Sequence, residues 1–205
     1  MMTPKLPKEY SDFRKKQILM AAYECFIEKG YSDTTVREIA KRMSASTGVI
    51  YNYFKKKEEI LEGIQEWSME NNRQVFKQMG QKDKAREAIE EFFKNNFECG
   101  TINELKKSAR GNFSLWHEAL KRENIREMFD SLYGFIVKNV SGFVKEGIEK
   151  KEISADLDPK TMAGFIMALV IGVQLQIALI DRLDTSAHIQ GIKKILFSNV
   201  WRGLK

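Results

Sequence analysis

Hydroxyl groups, a glycine, aromatic rings and lysines follow one another between residues 35 and 57, at the spacing of two short helices joined by a tight turn. In this pattern apolar side chains face inward, small and polar ones face outward, and positive charge lies at the edge. A helix that enters the major groove of DNA needs this distribution. The segment therefore predicts a DNA interface. Its candidate residues are Thr35, Ser46, Thr47, Gly48, Val49, Tyr51, Asn52, Tyr53 and Lys57.

The charge of the chain favours a polyanionic partner for its N-terminal part. The chain has 205 residues and a net charge of +6. Residues 1–60 contain twelve lysines and arginines against eight aspartates and glutamates, so they carry +4 of that charge. An excess of this size supports nucleic-acid binding only together with a motif. A hydrophobic content of 43% and a charged content of 30% are typical of a soluble globular protein.

The sequence shows no pattern for a metal site or for export. Cys25 and Cys99 do not have metal-binding spacing, and the first residues lack the apolar stretch of a signal peptide. We therefore expect a reducing, cytoplasmic setting and no metal or cofactor. Cys25 lies among apolar helical positions, which favours a small core residue.

Helical patterns cover the chain and no segment shows the alternation of a strand, which predicts an all-α fold. Thr35 and Glu38 have the spacing of a capping box, Gly30 predicts the end of the first helix, and Asp158-Pro159 predicts the start of another. The predicted helices span about 12–29, 35–43, 46–53, 57–79, 83–99, 102–120, 124–150, 159–183 and 185–201.

The predicted helix 159–183 is apolar on two sides and must therefore be covered on two sides. A membrane span is disfavoured by Gln174 and Gln176 near its centre and by an apolar run that is too short. We expect one face to pack on its own domain and the other on a second copy of the chain. Together with the helix at 186–201 it would form a four-helix homodimer interface. One face carries Ile166, Val170, Val173, Ile177 and Ile180, and the other carries Phe165, Leu169, Gly172 and Leu179.

The motifs TTVREIAKRM and STGVIYNYFKKKEEIL resemble the DNA-binding region of the TetR/AcrR transcriptional regulators over about residues 14–61. The resemblance includes Gly30-Tyr31, the Thr34-Thr35 pair and Gly48. It departs from the family pattern at Ser44, where a glycine is usual in the turn. Serine reaches the required left-handed geometry only at some cost, so we expect a slightly adjusted turn.

The resemblance implies an N-terminal three-helix helix-turn-helix DNA-binding domain over residues 1–57 and a C-terminal helical bundle over residues 58–205 that dimerises and binds an effector. It places the third helix in the major groove. Thr35, Ser46 and Lys57 are expected to meet phosphates, Val49 a thymine methyl group, and Asn52 a base edge. Simpler alternatives are a capping role for Thr35 alone and packing of Tyr53 against the first helix.

Large rings in the second domain could line an apolar cavity with a few polar groups, although rings at helical spacing are usually core. Such a cavity would suit a lipophilic or drug-like effector. The candidate ligand-binding residues are Trp67, Phe93, Asn96, Phe97, Phe113, Trp116, His117, Phe129, Tyr133 and Gln174.

The resulting expectation is a homodimeric repressor that binds a palindromic operator and is released by its effector. A DNA-binding protein without an effector, or an activator, remains open. An enzyme is not expected, because the two histidines, His117 and His188, have no nucleophile elbow, phosphate loop or paired carboxylates beside them.

Overall fold

The computed structural model describes residues 8–98, 100–154 and 156–197. Within these residues every regular element is a helix, which confirms the all-α prediction. The α-helices of the described residues are α1 (Lys8–Lys29), α2 (Val36–Arg42), α3 (Thr47–Tyr51), α4 (Lys57–Met79), α5 (Ala85–Phe97), α6 (Ile102–Ala119), α7 (Glu123–Glu149), α8 (Pro159–Leu179) and α9 (Thr185–Ile195).

Several helix ends differ from the prediction. Helix α8 ends at Leu179, four residues early, because Ile180 turns into an extended conformation with φ −104° and ψ 101°. Helix α9 is capped by Asp184, whose side chain accepts a bond from the amide of Ala187 at 3.0 Å. Lys84, not Asp83, is the N-cap of α5. The predicted helix end at Trp201, together with Val200 and Cys99, lies outside the described residues.

The first three helices form the unit that we call the head. Helices α1 and α2 pack through Ile18, Ala22, Phe26, Ile39 and Ala40, all buried. The Thr35 hydroxyl accepts a bond from the amide of Glu38, and the Glu38 carboxylate accepts one from the amide of Thr35, so the predicted capping box is present. This reciprocal cap fixes where α2 begins and therefore where the following turn lies.

The turn between α2 and α3 has the predicted strained residue. Ser44 has φ +51°, in the left-handed region. The amides of Ser44 and Ala45 donate to the carbonyls of Lys41 and Ala40 at 3.0 and 2.9 Å, which is the Schellman pattern of a helix C-terminus. The turn therefore keeps its geometry without the glycine that is usual there.

The core of the head extends beyond the first three helices. Ile60, Leu61 and Ile64 of α4 belong to it, and so do Ala119 at the end of α6 and Ile125 at the start of α7. Helices α4 to α9 enclose a second core around the contact of α7 with α8. Helix α4 is thus part of both units, and the division at residues 57 and 58 stays a prediction.

Helix α8 presents two different apolar faces. The face that carries Ile166, Val170, Val173 and Ile177 is buried in the second core. On the other side Phe165, Leu175 and Leu179 are exposed, with Leu179 71% exposed. Within the described residues this is the helix long and apolar enough to cross a membrane, and 44% of the tested stretch is buried inside the chain.

Replacing Ser44 by glycine should raise the free energy of unfolding by about 0.5–1 kcal/mol. The left-handed conformation costs an ordinary residue about 1–2 kcal/mol, which glycine avoids. Glycine loses more backbone entropy on folding, so the net gain is smaller than this cost. Urea unfolding at fixed protein concentration measures the change. Ser44→Ala keeps the Cβ atom and should show no gain, so an equal gain in both variants would contradict a strained turn.

Candidate DNA interface and effector cavity

The outward side of α3 carries most of the predicted DNA residues. Ser46 is the N-cap of α3, and its side chain makes no capping bond. Tyr51 is 46% exposed. Ser46, Gly48 and Asn52 are exposed, and Thr47 and Val49 are half-buried. These residues therefore form one accessible surface on the head, and their contact with DNA stays a prediction.

The packing of the described residues around Gly48 does not require a glycine at this position. A Cβ atom at Gly48 would find Ser46 Oγ at 3.6 Å, an ordinary van der Waals distance. Its backbone is helical, so neither space nor conformation requires glycine. What the glycine provides is a side-chain-free patch at the leading turn of α3, where another molecule's backbone or bases could approach closely.

Lys57 has its ammonium group directed into the chain. It donates to the carbonyls of Tyr31, Ser32 and Thr34 at 2.7, 3.2 and 2.9 Å, and it lies 4.4 Å from the centre of the Tyr31 ring. A lysine has three donors, and all three are used here. Burial lowers the pKa of Lys57. The ammonium group of Lys57 thus has partners within the chain, and its contact with a phosphate stays a prediction.

Two further predicted DNA residues also have partners within the head. The Thr35 hydroxyl donates to Glu38 at 3.0 Å in addition to accepting the capping bond. Tyr53 is half-buried against the head core, as the simpler alternative had it.

Cationic side chains without a carboxylate partner in the described residues lie beside α2 and α3. They include Arg37, Lys41 and Lys56.

A cavity of about 360 Å³ lies where the head meets the second domain. Its walls come from α1, α4, α6 and α7. Two predicted ligand residues, Trp67 and Phe129, line it. The lining residues not predicted are Tyr23, Leu61, Ile64, Gln65, Ser68, Met69, Asn71, Asn72, Asn112, Leu115, Ile125, Met128 and Leu132.

The other predicted ligand residues do not line this cavity, and their contact with an effector stays a prediction. Phe93 is fully buried in the second core. Asn96 donates to the carbonyl of Phe92 at 2.8 Å. Phe97 lines a separate cavity of about 360 Å³ beside α9. His117 and Tyr133 are exposed, so neither faces an interior.

Three of the predicted residues stand directly behind the cavity wall. The ring centres of Phe113 and Trp116 are 4.5 Å apart in an edge-to-face pair, and those of Trp116 and Phe129 are 6.4 Å apart. Gln174 lies within 3.4 Å of the Asn112 amide, which donates to it. They therefore support the wall, and helical spacing alone could not separate such residues from those that line the space.

A polar cluster joins the head to the end of α6 and the start of α7. We call Tyr31, Ser32, Lys57, Glu118 and Arg122 the junction cluster. Ser32 donates to Glu118 at 2.7 Å, Arg122 donates to the same carboxylate at 3.0 Å, and the Arg122 guanidinium lies 5.6 Å from the Tyr31 ring. The cluster ties the loop after α1 to the second domain.

The pKa values of the junction cluster follow from these contacts. The Ser32 hydrogen bond, together with Arg122, lowers the pKa of the buried Glu118 carboxyl against the opposing effect of burial. Burial and the nearby Glu58 carboxylate raise the pKa of Tyr31 to about 12. Glu118 is therefore charged and Tyr31 neutral at neutral pH. The Glu118 carboxylate thus attracts the Arg122 guanidinium, which also lies near the neutral Tyr31 ring.

Two family models match this chain. One, for bacterial regulatory proteins of the tetR family, matches residues 18–64, and another, for the C-terminal part of BetI-type transcriptional repressors, matches residues 85–196. The chain belongs to the TetR family of transcriptional regulators. Both halves of the TetR architecture are thus present, with the head in the first match and α5 to α9 in the second.

Curated relatives agree with TetR membership. The uncharacterized HTH-type transcriptional regulator YfiR of Bacillus subtilis is 25% identical over 172 residues, covering 84% of this chain and 83% of that protein. YhgD of the same organism, also an uncharacterized HTH-type transcriptional regulator, is 31% identical over 168 residues, covering 78% and 82%.

Solved structures share the TetR fold. The transcriptional regulator FadR of Bacillus subtilis in complex with stearoyl-CoA is 22% identical with a TM-score of 0.65, covering 90% of this chain and 98% of FadR. A putative transcriptional regulator of Saccharomonospora viridis in complex with choline is 19% identical with a TM-score of 0.76, covering 94% and 100%.

Lys57→Met should lower the free energy of unfolding by about 1–2 kcal/mol, because three carbonyls lose a charged donor while the aliphatic stem is kept. Urea unfolding measures this loss. Lys56→Met, at an exposed position, is the control and should leave stability within about 0.5 kcal/mol. If Lys57→Met leaves stability unchanged and reduces the salt dependence of DNA binding, the result would support the predicted contact of Lys57 with a phosphate.

Glu118→Gln should lower stability at neutral pH by about 1 kcal/mol, because bonds to a charged acceptor become neutral ones. The folded-state pKa of Glu118 lies below its ordinary value of 4.5, so its contribution is present above that pH and is lost as the pH falls. The difference between wild type and variant should therefore shrink below about pH 4.

Unfolding midpoints measured from pH 7 to pH 3 test this prediction. The exposed Glu127→Gln on α7 is the matched control and should track the wild type throughout. A constant difference for Glu118→Gln across that range would show that the loss is not electrostatic.

Proposed function

We propose that this TetR-family regulator is a homodimeric repressor that binds a palindromic operator and leaves it when a small lipophilic effector enters the cavity. The observation that carries the proposal is the course of α4. Its first turns, with Ile60 and Ile64, belong to the head core, and Trp67 in its middle lines the cavity. A ligand that favours one position of α4 would also favour one position of the head.

The DNA contacts that we propose are those of the accessible surface of α3. Ser46, Thr47 and Tyr51 have hydroxyl groups that suit phosphates, and the Asn52 amide suits a base edge. Gly48 lets the backbone approach the duplex. The cations Arg37, Lys41 and Lys56 would supply the charge that holds the head on the phosphate backbone.

The exposed face of α8 supports the proposed dimer. Phe165, Leu175 and Leu179 are exposed on α8, and Ile195 on α9 is 64% exposed. Apolar faces of this kind usually mark an interface. A second copy would cover these residues and would fix the distance between the two α3 helices. A palindromic operator needs the two helices about 34–36 Å from each other, which is one turn of DNA.

The lipophilic effector is proposed from the walls of the cavity and from known neighbours. The lining side chains are mainly aliphatic and aromatic, with a few amides. FadR of Bacillus subtilis was solved with stearoyl-CoA and the Saccharomonospora viridis protein with choline. Both share the fold of this chain, which supports an effector site in the same domain. We propose no catalytic role, and we place the protein in the cytoplasm with its DNA.

Gly48→Ala separates this function from a purely structural use of α3. Alanine should stabilise the helix by about 0.5–1 kcal/mol and yet weaken operator binding at least about tenfold, because the added methyl group meets the duplex. A gel-shift titration with the protein's own promoter fragment measures the affinity, and sedimentation in the same buffer measures the oligomeric state.

Three outcomes of these measurements would contradict the proposal. A wild-type protein that sediments as a monomer would exclude the proposed dimer. A wild-type protein that leaves the promoter fragment unshifted would exclude the operator. Equal operator affinity in Gly48→Ala and the wild type would remove α3 from the interface.

A further inference from the structure

The cavity at the junction has a wall that belongs to the head itself. Tyr23 of α1 lines it together with residues of α4, α6 and α7. Three more lining residues, Leu61, Ile64 and Ile125, are buried members of the head core. An occupant of this space would therefore touch the packing of the head directly.

The lining contains no charged side chain among the described residues. Its polar groups are the amides of Gln65, Asn71, Asn72 and Asn112 and the hydroxyls of Tyr23 and Ser68. Burial raises the pKa of Tyr23, so its hydroxyl stays neutral at physiological pH. A charged ligand buried here would find no opposite charge, and that arrangement is costly.

The size of the cavity suits a small ligand. About 360 Å³ is near the lower end of the volumes that small-molecule sites have. Amide groups both donate and accept hydrogen bonds, so they suit a hydroxyl, carbonyl or amide on the ligand.

Tyr23 connects three helices at this point. Its ring meets that of Trp67 on α4 edge-to-face, with the centres 6.4 Å apart. The side chain of Ser108 on α6 partly offsets the effect of burial on the pKa of Tyr23, so the two polar groups face each other. A molecule that pushes on Tyr23 therefore acts on α1 while it also disturbs the contacts of α1 with α4 and α6.

We propose that the cavity accepts an uncharged, mainly apolar molecule, and that Tyr23 transmits its presence to the DNA-binding head. The inference rests on the effector-responsive function proposed above and deepens it. Tyr23 is in this view a positioning residue, since it acts on α3 through the body of α1 and the head core.

The ligand class is tested on the wild-type protein with the neutral fluorescent probe N-phenyl-1-naphthylamine. Three competitors have an unbranched ten-carbon chain and differ in the charge of a small head group: 1-decanol, decanoate and decylammonium. Decanol should displace the probe at a concentration at least about tenfold lower than either ion, because neither ion has a partner in the cavity. Equal or better displacement by an ion would overturn the ligand class.

The position of the probe is tested with Ser68→Phe, which fills the cavity from α4. Circular dichroism checks that this variant is folded, and a folded variant should bind the probe at least about tenfold more weakly. Unchanged probe affinity would place the probe outside the cavity and contradict the assignment. If Ser68→Phe does not fold, Leu132→Phe replaces it on the α7 wall.

The role of Tyr23 is tested by operator affinity with and without the probe. In the wild type the probe should weaken operator binding about fivefold or more. Tyr23→Phe and Ser108→Ala each remove one side of the polar contact between these residues and keep the ring packing. Ser108→Ala, which lies outside the lining, should bind the probe within about threefold of the wild type, and both variants should lose most of the operator response. The double variant should show the same loss as either single one.

The outcomes separate this inference from the proposed function. A full response in both single variants, or probe binding without any response in the wild type, would exclude Tyr23 as the link and leave operator binding intact. Failure of the wild type to bind the operator in the absence of probe would instead overturn the proposed function.

Discussion

The structure depends most on one packing constraint, which is that the head cannot close its own core. Helices α1 to α3 cannot enclose Ile18, Phe26 and Ile39 alone, and the missing cover comes from α4 and from Ala119 and Ile125 at the α6–α7 corner. Ile125 is 1% exposed, and burying such a side chain contributes about 1.5–3 kcal/mol. The head is therefore held in place by the same contacts that make it stable, and it cannot move without repacking them.

Close approach of α1 and α6 makes this dependence rigid. A Cβ atom at Gly111 would lie 2.6 Å from side-chain atoms of Ile27, so only a glycine lets these helices come so near. Gly30, with φ +88°, ends α1 and brings its backbone against Ser114. Ion pairs add direction at the rim, where Lys107 of α6 donates to Glu28 of α1 at 2.8 Å. Because α6 also supports the cavity, its position and that of α1 are linked by geometry.

Local signals in the sequence predicted the helices well, and they failed where distant parts of the chain meet. The capping box at Thr35 and the helix start at Asp158-Pro159 each depend on neighbouring residues, so the pattern alone predicted them. The strain at Ser44 was expected from the family resemblance. The composition of the cavity depends on how α1, α4, α6 and α7 pack, and nothing local marks Tyr23 as one of its walls. Lys57 shows the same limit, because only the folded chain brings three carbonyls to its ammonium group.

The two kinds of contact at the junction have different consequences for a change of state. The apolar layer around Ile64 and Ile125 borders the cavity, so the proposed effector would contact the packing of the head there. The junction cluster is directional, and its bonds between Ser32, Glu118 and Arg122 are either made or broken. Under the proposed function, a shift of the apolar layer would strain these directional bonds until they break. This combination suits two discrete positions of the head better than a continuous range, because intermediate positions would leave the buried Glu118 carboxylate without its partners.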